Sequence, residues 1–169
     1  MSRTRRRLSR HRTVTGPYGP VRISHDRWPA VMAVVDGPGL PTVTVLPGRT
    51  IAVDGRRVPT VHGTGSGWDP RRAARTCAVE AGGHRYELRP TSLFRARVTR
   101  DDAVVALVRG TLGAYSPVRS FAGIDARLTW VPDVTPLDVA LAQAMVVAFG
   151  PGAPGALARI GLFWLEWFS

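Results

Sequence analysis

Residues Thr135–Gly150, TPLDVALAQAMVVAFG, decide how the rest of the chain must be built. Between Pro136 and Phe149 only Asp138 and Gln143 interrupt an apolar run, and a helix that is apolar on every side has to be enclosed by protein or lipid. Its ends are marked. Thr135 caps the first turn, Pro136 suits the first helical position, and Asp138 forms a capping box while placing negative charge at the positive end of the helix. Gly150 and Pro151 stop it. At about 1.5 Å per residue the helix is roughly 21 Å long, short of a bilayer core of about 30 Å. It does not span a membrane alone, and protein is the expected enclosure.

Downstream, Ala156–Phe168 (ALARIGLFWLEWF) carries Arg159 and Glu166 and reads as a short amphipathic helix. Leu157, Ile160, Trp164 and Phe168 recur at spacings of three or four, with Phe163 and Trp167 beside them. Two uses fit. Phe163, Trp164, Trp167 and Phe168 can enter a membrane interface, or this segment can pack across an opening of the fold or against a partner protein.

All 23 basic residues are arginine, against 12 Asp and Glu, for a formal charge of +11. Six of them, Arg3, Arg5, Arg6, Arg7, Arg10 and Arg12, crowd the N-terminus, and taking those six from +11 leaves +5. Residues 1–20 therefore read as a basic, disordered arm ahead of a single domain over 21–169. Guanidinium groups bind phosphates in bidentate fashion, on anionic lipid or on nucleic acid. A plain solvated arm, in a chain that uses arginine for every basic position, fits the same residues. The 44% hydrophobic content is that of a folded domain, and one cysteine, Cys77, allows no internal disulfide. No apolar leader follows the N-terminal arginines, which points to a cytoplasmic protein, at most peripheral at the inner face of the membrane.

The segments between arm and helix read as strands. Alternation or β-branched runs fall at Val31–Val35, Thr42–Leu46, Thr50–Val53, Arg57–Val61, Thr76–Glu80, Arg85–Leu88, Phe94–Thr99, Val104–Arg109 and Ala126–Trp130. Asp54-Gly55, Gly82-Gly83 and Asp101-Asp102 supply hairpin turns. Phe94, Ala96 and Val98 alternate with Arg95, Arg97 and Thr99, which puts a core on one face and water on the other.

Chemistry is thinly represented. His11, His25, His62 and His84 are scattered, Cys77 sits in a strand, and no zinc spacing or nucleophile elbow occurs. The glycine-rich stretch His62–Pro70 lacks the Lys-Ser or Lys-Thr ending of a phosphate loop. Arg71, Arg72 and Arg75 follow it as a candidate anion patch, with an ordinary solvated face as the alternative. No catalytic residue, metal ligand or cofactor is assigned.

Strands followed by an enclosed helix suggest an antiparallel closed barrel, mainly β, with helix 136–149 in its lumen and the aromatic helix 156–168 after it. On His84–Gly110 (HRYELRPTSLFRARVTRDDAVVALVRG), Leu128–Trp130 and the helix TPLDVALAQAMVVAFG, the chain resembles the tubby C-terminal and LURP-one, or phospholipid scramblase-like, superfamily. That resemblance implies a barrel around a hydrophobic helix and, for some members, binding of anionic lipid head groups. The leading functional expectation is a non-enzymatic barrel module binding an anionic surface, chiefly phospholipid, through its arginines and aromatic tail. Nucleic-acid binding by the N-terminal arm, with the barrel as scaffold, is the alternative.

Overall fold

The computed structural model describes residues 10–26, 32–63, 76–92, 94–110 and 126–151. Among these residues twelve strands, a 3-10 turn at Pro47–Arg49 and one α-helix follow one another. The strands are β1 Arg10–Gly16, β2 Gly19–Asp26, β3 Met32–Asp36, β4 Val43–Val45, β5 Ile51–Val53 and β6 Arg56–Arg57. They continue with β7 Thr60–Val61, β8 Cys77–Ala81, β9 His84–Pro90, β10 Arg95–Arg100, β11 Ala103–Arg109 and β12 Arg127–Trp130, and α1 covers Pro136–Phe149.

Each strand pairs antiparallel with its sequence neighbour, giving a six-stranded sheet β1 to β6 and a second six-stranded sheet β7 to β12. The closed barrel expected from the sequence is corrected here: the structure is two antiparallel sheets, and neither closes on itself. Pro59 is one cause. It lacks an N–H and divides the stretch read as one strand, Arg57–Val61, into β6 and β7. Backbone bonds still bridge the corner, from Val58 N–H to Ile51 O at 3.0 Å and from Glu80 N–H to Pro59 O at 3.0 Å. At the far ends β1 pairs only with β2 and β12 only with β11 among the described residues, so the ring has no closing ladder.

Turn chemistry sets the register. Asp54 and Gly55 have φ of 46° and 82°, Gly82 and Gly83 59° and 79°, and Asp101 and Asp102 47° and 69°. A two-residue turn left-handed at both positions matches the twist of an antiparallel pair. The β1–β2 turn through Pro17 and Tyr18 was not foreseen, nor was β1: residues 10–20 belong to the fold rather than to an arm. A single apolar residue inside β1, Val14, left no readable alternation.

Inward rows build the core. Val21, Ile23, Ala33, Val35, Val43, Val45 and Ile51 from the first sheet, and Val79, Tyr86, Leu88, Ala96, Val98, Ala106 and Val108 from the second, are all at most 3% exposed. Helix α1 packs against β3 and β4 of one sheet and β9 and β11 of the other. From Asp138 to Ala148 no helix residue exceeds 5% exposure, so the apolar rod is sheathed by its own chain. Among the described residues no helix is long and apolar enough to cross a membrane. The expected helix 156–168 lies outside the described residues.

Candidate anion-binding face

Two polar features stand out, one inside the fold and one on its surface. Inside, the capping box forms as expected: Asp138 N–H donates to Thr135 Oγ1 at 3.2 Å, and Thr135 N–H to Asp138 Oδ2 at 2.7 Å. The same carboxylate is 0% exposed and receives Tyr86 Oη at 2.8 Å and Arg100 Nη1 at 2.7 Å. Burial first, and then the hydrogen bond to Asp138 and its negative charge, raise the Tyr86 phenol well above its usual range. Every group is engaged with another. The cluster anchors the first turn of α1 to β9 and β10 and leaves no reactive atom to offer a substrate.

On the surface, strand register creates a different arrangement. Arg95 on β10 lies opposite Arg109 on β11, which lies opposite Arg127 on β12. One pair of residues along, Arg97 and Thr129 flank Leu107 on β11, and Arg97 faces Arg89 on β9. Side chains directly opposite on one face have Cβ atoms about 4.5–5.5 Å apart. Arg95, Arg97, Arg109, Arg127 and Leu107 are all exposed, Leu107 by 53%.

This outer face divides into two halves. Near the β8–β9 and β10–β11 turns the charges are matched: Arg85 bonds Glu87 at 2.8 Å and lies 3.6 Å from Glu80, and Arg89, which stands opposite Arg97, pairs with Glu87 and with Asp102 of the β10–β11 turn. Hydrogen bonds from Arg85 and then Arg89 hold the Glu87 carboxyl below the usual range despite its partial burial. Asp101 is held low by the Arg85 backbone N–H and by His84. At the opposite end, among the described residues, no carboxylate bonds Arg95, Arg97, Arg109 or Arg127. Like charges placed directly opposite destabilise a sheet, so this row carries a cost that packing does not explain.

The sequence-derived site residues are distributed otherwise. Arg10, exposed, and Arg12, partly exposed, sit on β1 in register with His25 and Ile23, away from the β10–β12 arginine row. Arg3, Arg5, Arg6, Arg7, Arg71, Arg72, Arg75, Phe163, Trp164, Trp167 and Phe168 lie outside the described residues. Arg109 and Arg127 escaped notice because they are isolated in sequence and meet only through β11 and β12. Arg95 and Arg97 were visible as the polar side of an alternating strand.

Catalytic machinery gains nothing from the geometry. Among the described residues no group of three or more His, Cys, Asp or Glu could hold a metal ion. His25 and Asp26 occupy adjacent strand positions, whose side chains leave opposite faces. Cys77 is buried, and that burial raises its thiol despite a backbone hydrogen bond from Gly63 and the charge of Arg49. Fold and surface together define a two-sheet, mainly β domain with an enclosed helix and one unbalanced cationic end. Comparison of the chain with protein-family models, curated proteins and solved structures returns no match.

Proposed function

We propose that the protein is a non-enzymatic module that binds an anionic surface, with phospholipid head groups as the partner. The observation that carries this reading is the in-register set Arg95, Arg109 and Arg127, with Arg97 beside it, exposed and without carboxylate partners among the described residues. Guanidinium groups so placed offer a fork of donors to phosphate oxygens, and binding releases counterions and relieves their mutual repulsion. The N-terminal arginines add attraction at longer range. The resemblance of the sequence to the tubby and LURP-one superfamily, some of whose members bind anionic lipid head groups, points to the same partner.

Single-stranded nucleic acid fits this face less well. Such strands are gripped by aromatic stacking, and none of the outward residues on these rows is aromatic.

Co-sedimentation of the full chain with vesicles of phosphatidylcholine, alone or mixed with phosphatidylserine, tests the proposal. Binding should require phosphatidylserine, weaken with added salt, and be lost in the combined variant Arg95→Gln, Arg97→Gln, Arg109→Gln, Arg127→Gln, with circular dichroism confirming that this variant folds. Equal recovery on neutral and anionic vesicles, or an unaffected folded variant, removes the reading.

A further inference from the structure

The ends of the two sheets are not equivalent. At the Pro59 corner β6 and β7 are two residues long each, and β12 has four. β1 has seven, in unbroken register with β2 and without a proline or a bulge. An open edge of that length is a template for another strand unless something blunts it. Arg10 and Arg12 blunt one half with charge. The other half, Thr13-Val14-Thr15, is uncharged and β-branched, a composition that favours strand pairing.

Hairpin phase shows which backbone groups this edge presents. Gly16 and Gly19 flank a two-residue turn and exchange hydrogen bonds across it, after which bonded and non-bonded pairs alternate along the ladder. Val14, Arg12 and Arg10 therefore direct their N–H and C=O groups to β2, whereas those of Thr15, Thr13 and His11 point away from it. Pro20, opposite Thr15, agrees with this phase, because a non-bonded position needs no N–H. Thr13 and Thr15 are exposed, and nothing among the described residues bonds their outward backbone groups.

We infer that the β1 edge is a pairing surface for a second copy of this chain, in an antiparallel β1–β1 contact about a two-fold axis through Thr13. The residues are self-complementary in that register. Thr13 stands opposite its own counterpart, a favourable Thr–Thr pair, and each His11 backbone bonds the other copy's Thr15, about six main-chain hydrogen bonds in all. Arg12 faces Val14 and Arg10 faces Gly16, so no arginine stands directly opposite another. Moving the axis to His11 sets Arg10 against Arg12, and moving it to Thr15 brings Pro17, which has no N–H, opposite Thr13. The Thr13 axis avoids both, and a two-fold contact closes at two copies. A strand pair of this length falls short of the roughly 1,200 Å² of a stable interface, so the dimer is weak and concentration-dependent. The inference is independent of the anionic-lipid reading, because β1 belongs to the other sheet from the arginine row.

Sedimentation velocity of the full chain over a concentration series tests it. Wild type should show a monomer–dimer equilibrium that tightens with added salt, as screening relieves repulsion between two chains of charge +11. Thr13→Pro removes the edge N–H without touching the β2 ladder, and Thr13→Lys sets two cations on the axis; each should weaken dimerisation by about 10-fold or more. Circular dichroism checks that both fold, and the lysine variant, a change at an exposed side chain, decides the matter if proline disturbs β1. Thr13→Cys should give a covalent dimer with a short bis-maleimide, whereas wild type, whose Cys77 is buried, should not. A monomer at every concentration, a dimer indifferent to the Thr13 substitutions, or assemblies that grow past two copies each overturn the inference. Dissociation by salt also overturns it, since that marks bridging by a polyanion. Vesicle binding, whose variants lie on β10 to β12, is read separately and stands or falls without it.

Discussion

Arg100 Nη1 lies 2.7 Å from Asp138 Oδ2, joining the last residue of β10 to the first turn of the enclosed helix. Asp138 is 0% exposed, and the guanidinium, the phenol of Tyr86 and the Thr135 N–H all converge on its carboxylate. Removing one partner of a buried ion pair costs about 3–5 kcal/mol, since the other charge is left without compensation. Arg100→Leu should therefore lower stability by about that amount in urea denaturation. Changing Asp138→Leu in the same chain should recover only part of the loss, because it removes the isolated charge but also the helix cap, worth about 1 kcal/mol, and the partner of the buried Tyr86 hydroxyl. A small effect of Arg100→Leu alone would mean that the pair does not hold the helix.

Tyr86 links the same cluster to alkaline pH. Its phenol sits above its ordinary 10.0 because of burial, then the hydrogen bond to Asp138 and its charge. The folded state thus keeps this proton when the unfolded chain begins to lose it. Stability from this group is complete below about pH 10 and falls as pH rises further. Tyr86→Phe should cost about 1.5–3 kcal/mol at neutral pH, through loss of a hydrogen bond to a charged group. Its urea midpoint should also decline less steeply above pH 10 than that of wild type. Parallel declines would show that other groups set the alkaline limit.

Much of this architecture was legible in the chain, and the lapses have physical causes. Helix α1 was readable end to end because Thr135, Pro136 and Gly150 punctuate an apolar run that no surface could carry. Three of the hairpin turns were readable because Asp-Gly, Gly-Gly and Asp-Asp favour left-handed backbone. Sheet closure was not, because it depends on whether β1 and β12 meet, and neither strand's residues encode a partner so distant. Pro59 was a visible breaker that the apolar run around it masked. The cationic row was illegible for a related reason: Arg95, Arg109 and Arg127 become neighbours only once β10, β11 and β12 take their register.

The Asp101-Asp102 turn combines a favourable and an unfavourable choice. Both residues are left-handed, at φ of 47° and 69°, a conformation that costs a non-glycine residue about 1–2 kcal/mol. Asp101 offsets its share by accepting from the Arg85 N–H at 2.9 Å and pairing with His84. Asp102 has only an exposed pair with Arg89 at 3.2 Å, a contact of little weight. Asp102→Gly should raise stability by up to about 1 kcal/mol, a Tm gain of about 2–4 °C. A loss would mean that the Arg89 contact matters more than its exposure suggests.

Repulsion within the arginine row predicts opposite effects on stability and on binding. Arg109 stands opposite both Arg95 and Arg127, so it suffers two like-charge contacts where each neighbour suffers one. Arg109→Thr keeps a strand-favouring residue and removes both repulsions, which should raise the Tm of the free protein by about 1–3 °C at low salt. High salt should erase that gain, because the repulsion is screened in wild type as well. A bound anion should do for wild type what the substitution does permanently. Soluble phosphate-bearing headgroup analogues should therefore raise the Tm of wild type more than that of Arg109→Thr. If the variant is no more stable at low salt, or both proteins respond equally to the analogue, the row is an ordinary solvated face and its alignment carries no function.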